Sequence, residues 1–113
     1  MAERDTVDAD EIVRDFVAEI YAIPYVNTMA SVISAKGEPT IYTLVPHISG
    51  RKLIDVVEKV VSAWAPIVEK HSMKLESIGI KVGPVLCEGQ FNEFIEGSGE
   101  LRKSQVLYNP SAA

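Results

Sequence analysis

A single cysteine, Cys87, excludes an internal disulfide, and no Cys-x-x-Cys, His-Glu-x-x-His or calcium-loop pattern supplies a metal with ligands. One free thiol fits a reducing compartment best. No run of residues approaches the ~20 consecutive apolar positions that a membrane-crossing helix needs. The opening Met1-Ala-Glu-Arg-Asp has no basic segment followed by an apolar one, so it does not read as a secretory leader. Basic charge is not in excess either: the net charge is −5, and binding to a phosphate backbone needs a basic face. A cytoplasmic protein is expected, with neither nucleic acid nor membrane among its partners, and with no metal or cofactor.

What remains is a globular composition of 113 residues, 47% apolar and 24% charged. It predicts one α+β domain over residues 1–113, with residues 1–7 and 109–113 frayed. A chain of this length buries roughly two-thirds of its unfolded surface, enough for a core without covalent staples. The negative charge is not evenly spread. Seven acids and two bases stand between Met1 and Glu19, and the rest of the chain is balanced. A solvated helix face with acids near its N-terminus accounts for this. A face that docks on a basic partner is the sharper reading.

Ile12, Val13, Phe16, Val17 and Ile20 recur with helical period, and Asp8 or Asp10 can cap the start of that helix. Pro24 ends it by pushing Ile23 out of the helical region. Residues 26–35 and 40–48 are rich in β-branched side chains and flank Lys36-Gly37-Glu38-Pro39, a turn signal, so they predict an antiparallel hairpin. Ser49 can cap a second helix over about 50–71, with a core stripe of Leu53, Val57, Val60, Trp64 and Val68 and a kink at Pro66. Ile78, Ile80 and Val82 alternate as a third strand over 76–82, broken by Gly83 and Pro84. Phe91, Phe94 and Ile95 have helical spacing, while Gly97-Ser98-Gly99 could join two strands; the hairpin is the expectation and a short helix the alternative. The whole predicts a two-layer sandwich in the order α-β-β-α-β and then one or two strands. Its sheet is expected to be antiparallel, with helices on one face, in a loosely ferredoxin-like arrangement.

No residue pattern carries a defined catalytic chemistry. The best local candidate is Pro46-His47-Ile48-Ser49-Gly50-Arg51-Lys52, where a strand passes into a helix. Free amides at a helix start, a hydroxyl and two cations can hold an anion. Arg51 and Lys52 also oppose the helix macrodipole, which invites a negative partner. Simple serine capping explains Ser49 equally well, and the glycine spacing of a nucleotide loop is absent. His47 beside Ser49 lacks a fixed carboxylate, so a nucleophile-base pair does not follow. His71, at the expected end of the second helix, would be favoured by the dipole as a cation. Cys87 has the usual character of a buried thiol.

The hairpin is apolar on both sides, including Met29, Ile33, Tyr42 and Leu44, and two helices can shield only one. The expected function is therefore a small non-catalytic interaction or regulatory module acting as a homodimer, since identical patches are self-complementary about a two-fold axis. The alternative is a small-molecule-binding protein or modest enzyme, its pocket at the sheet or dimer interface and lined by Tyr25, Tyr42, His47 and Trp64. A protein partner or a small ligand fits either reading.

Overall fold

The computed structural model describes residues 2–34, 36–46, 50–98 and 102–107, with backbone alone for 2–8 and 102–106. The elements run α1 (Ala2–Tyr21), β1 (Thr28–Ile33), β2 (Pro39–Val45), α2 (Arg51–Ser77), β3 (Lys81–Cys87), α3 (Glu88–Ser98) and β4 (Arg102–Leu107). The segment 109–113, expected to fray, lies outside the described residues. Among the described residues no helix is long and apolar enough to cross a membrane.

The stripe predicted for α1 is the one that is buried: Phe16, Val17 and Ile20 are core residues, with Ile12 and Val13 packed beside them. The helix begins earlier than expected, so Asp8 and Asp10 lie inside it and not at its start. The β1–β2 hairpin is antiparallel from Thr28↔Leu44 to Ile33↔Pro39. Its turn uses Gly37 at φ 81°, which a side chain would strain, and is closed by Gly37 N–H donating to Ser34 O at 2.9 Å.

Helix α2 departs most from expectation. It continues through Pro66 and past His71 to Ser77, 27 residues or about 40 Å. Pro66 is exposed, as is Ser62, whose carbonyl it deprives of a donor, so water can satisfy that group. The helix stops at Gly79, held at φ 79°. Gly79 N–H donates to Glu76 O at 3.0 Å and Ile80 N–H to Leu75 O at 2.9 Å, the paired bonds of a Schellman cap. Leu75 and Ile80 share the same core cluster, the apolar contact that accompanies this cap. The alternation expected over 76–82 was thus a helix end, and the third strand follows it.

The sheet order is β3-β2-β1-β4. Its β1–β2 and β1–β4 pairs are antiparallel, but β2 and β3 are parallel, so the sheet is mixed and not purely antiparallel. The cause is α2, a crossover long enough to return the chain to the start of β2. After β3 the chain forms α3 and a single strand, not a hairpin. Helices α1 and α2 pack with Met29, Ile41, Val45, Val85 and Cys87 on one face. The alternate residues Ala30, Val32, Tyr42 and Leu44 are buried with Phe91 of α3 on the other. The fold is α+β, but helices occupy both faces, which corrects the two-layer and ferredoxin-like expectation.

Both edge strands carry an extra residue. Between Ile41↔Val82 and Thr43↔Val85, β3 has Gly83 and Pro84 opposite Tyr42 alone. Between Ser31↔Gln105 and Val32↔Lys103, β4 has Ser104 unmatched. Bulges and an edge proline interrupt the ladder that another chain would need for pairing. Self-association through an edge is therefore disfavoured.

Candidate functional site

Strands β2, β3 and β4 point the same way, so three carboxyl ends meet at one end of the sheet, where the chain also enters β1. Here the parallel neighbours part. From β2 the chain passes to α2 on one face, and from β3 it passes to α3 on the other. A crevice outside two parallel strands whose following helices diverge is where open sheets most readily receive ligands.

The two helix starts differ in chemistry. That of α3 carries a back-bond: Gln90 Oε1 accepts from the Cys87 N–H at 3.3 Å, so the side chain of the first turn reaches back to the amide just before the helix. Glu88, favoured there by the dipole, also accepts a hydrogen bond from Asn27 Nδ2. Asn27 N–H in turn donates to Leu44 O at 2.9 Å, tying the entry of β1 to the end of β2. The start of α2 is open. Gly50 precedes it at φ 75° and ψ −151°, no described side chain caps it, and its first turn contains no acid. Arg51 and Lys52 are exposed and make no ion pair with a described residue.

The residues expected to form a pocket are divided by the sheet. Tyr42 lies beneath α3, its ring 5.5 Å from that of Phe91 and 5.8 Å from that of Phe94, and burial raises its hydroxyl above the ordinary value of 10.0. Trp64 is half-buried against the opposite cluster, on α2, with its Nε1 lacking a partner among the described residues. No one pocket can be lined by both, which corrects the grouping of Tyr42 with Trp64. Tyr25 does stand at the carboxyl end of β2, three positions before β1. It is 51% exposed and held at φ 76°, a conformation that costs a bulky residue about 1–3 kcal/mol. Arg51 and Lys52 share that end. His47 and Ser49 lie outside the described residues.

His71 is not at a helix terminus. It is buried to 6% exposure between α1 and α2, its Nε2 paired with Glu19 Oε2 and its ring edge-on to Phe16 at 5.7 Å. Cys87 is buried, as expected. A shallow depression lined by Asp55, Glu58, Lys59 and Ser62 belongs to one face of one helix and encloses nothing. Among the described residues no three ligand-type side chains gather to hold a metal.

Fold and site together define a small α+β domain with an open helix start at the parting of two parallel strands. Searches against protein families, curated proteins and solved structures found no match for this chain.

Proposed function

We propose that the protein is a small non-catalytic binding module that receives an anion-bearing small molecule at the carboxyl ends of β2 and β3. One observation carries this reading: among the described residues no side chain caps the start of α2 and none pairs with its two cations, Arg51 and Lys52, whereas α3 starts with a back-bonding Gln90. Cations at a helix N-terminus oppose the macrodipole, and a bound anion offsets both that repulsion and the unmet amides. Tyr25, strained and exposed at the same end of the sheet, supports the reading as a side chain free to contact a ligand there. Inorganic phosphate and a nucleoside monophosphate, titrated at millimolar concentration, are expected to shift the Gly50, Arg51 and Lys52 amide resonances. Reversing both charges (R51E with K52E) should weaken binding roughly tenfold or more. Amides that stay put at saturating phosphate would end the proposal.

A second reading, homodimerisation, now rests on a smaller patch. With Tyr42 and Leu44 roofed by α3, the apolar surface left on that side centres on Phe94, 42% exposed against the Tyr42 ring. Identical patches pair about a two-fold axis. Sedimentation should then give a dimer at micromolar concentration, and Phe94→Asp should give a monomer. A wild-type protein that sediments only as a monomer would remove this reading.

A further inference from the structure

We infer that Glu19, held between His71 and Lys70, is an acid-sensitive latch that keeps α1 docked on α2. Both carboxylate oxygens are engaged, and both partners come from α2: Oε2 meets His71 Nε2, and Oε1 accepts from Lys70 Nζ at 3.1 Å. Behind them the imidazole is enclosed, with Phe16 of α1 against its ring. Among the described residues none nearby can replace Glu19. Along α2 the next ionisable group toward His71 is Lys74, a second cation, and along α1 it is Asp15, exposed one turn back and bonded to neither. Among the described residues the sheet surface facing the pair offers Met29, Ile41, Val45, Val85 and Leu107, with the Cys87 thiol and Thr43 hydroxyl as its polar groups.

The sign follows from the partners. Hydrogen bonding from His71, and then from Lys70, holds the Glu19 carboxyl below its ordinary 4.5. A lowered folded-state value means that the clasp contributes fully above 4.5 and is lost as pH falls through the lowered value. Protonating Glu19 takes the charge from the acceptor that Lys70 and the enclosed His71 Nε2 share, and so loosens the one carboxylate that ties α1 to both. Helix α1 lies on the sheet without pairing in it, and the Tyr21 hydroxyl at its end bonds Met29 and Leu107, so the turns before Tyr21 can lift without breaking a strand pair. Lifting bares Phe16, Val17 and Ile20 together with Val60 and Leu75 beneath them, and creates an apolar surface that exists only in acid.

Amide hydrogen exchange on the full chain, followed from neutral pH into acid, tests this. Phe16–Ile20 should lose protection at a pH below 4.5 at which Ile41–Val45 remain protected. Glu19→Gln should open α1 roughly tenfold more at neutral pH and flatten the response to acid. His71→Phe, which refills the site without a polar nitrogen, should keep α1 closed in acid, and combining it with Glu19→Gln should restore closure at neutral pH. Wild-type helix and strand amides that lose protection together would overturn the latch. An unaltered acid response in Glu19→Gln would do so equally.

Discussion

Replacing Gly83 with alanine will destabilise the protein by about 1–3 kcal/mol, the range for overpacking a filled core. The sign is informative, because alanine for glycine within a strand ordinarily helps by roughly 0.5–1 kcal/mol. At Gly83 an added Cβ would lie 2.4 Å from Tyr42 Cε1, 2.6 Å from Cδ1 and 2.8 Å from Cζ. These are atoms of a ring, not the end of a flexible chain, and the ring is itself wedged against Phe91 and Phe94. The tyrosine covers the backbone of an edge-strand glycine, the arrangement in which a cross-strand aromatic makes good the missing side chain. To admit a methyl group the ring must move into α3. Urea unfolding of Gly83→Ala should show a lower midpoint, and thermal unfolding a fall of about 4 °C per kcal/mol at this chain length. Tyr42→Ala is costly by itself because it empties a packed site. In its presence, however, Gly83→Ala should cost almost nothing, giving a coupling of about 1–3 kcal/mol between the two positions. Strictly additive effects would mean that the ring does not sit on Gly83.

The same pair shows why one side of the sheet was hard to read in advance. Tyr42 and Leu44 have the alternation of a strand buried on both sides, and that much is legible in the chain. What covers the second side depends on residues 88–98, where Phe91, Phe94 and Ile95 repeat over too short a run for period alone to separate helix from hairpin. A stronger signal was available in Glu88 and Gln90, an acid and a back-bonding amide in a first turn, as found in α3. Gly79 likewise ends α2 as a C-terminal glycine after Lys74 in the last turn, although its place between Ile78 and Ile80 imitates strand alternation. Pro84 reads as a breaker until β3 is known to be an edge strand, where a missing amide is tolerated. Each error follows from a local signal whose meaning is settled only by the neighbouring element. Arg51 and Lys52 could be picked out because a helix start and two cations are local facts. That Tyr25 shares their end of the sheet, and that Tyr42 and Trp64 are separated by it, depends on strand order, which no residue spacing encodes. The Glu19–His71 pair spans two helices and was invisible for the same reason.

Tyr21→Phe should cost about 2–3 kcal/mol, although it removes one oxygen and leaves the ring in place. Met29 and Leu107 face each other across β1 and β4. Between them stands the Tyr21 hydroxyl, which accepts from the Met29 N–H at 3.0 Å and donates to the Leu107 carbonyl. It serves as a rung of the ladder supplied by a helix. Without it a donor and an acceptor lose their partner beside two buried side chains, and a buried unmet group costs about 1–3 kcal/mol. Tyr21 ends α1, so the bond also couples the docking of that helix to the seating of β4 at the sheet end proposed for ligand binding. Loss of the hydroxyl should therefore raise exchange at the Met29 and Leu107 amides more than at the β1–β2 turn. If Tyr21→Phe lies within about 0.5 kcal/mol of wild type, water takes the place of the hydroxyl and β4 is held by strand pairing alone. If the full loss appears with unchanged denaturant dependence, a single tyrosine oxygen fixes the last strand, and with it one wall of the site.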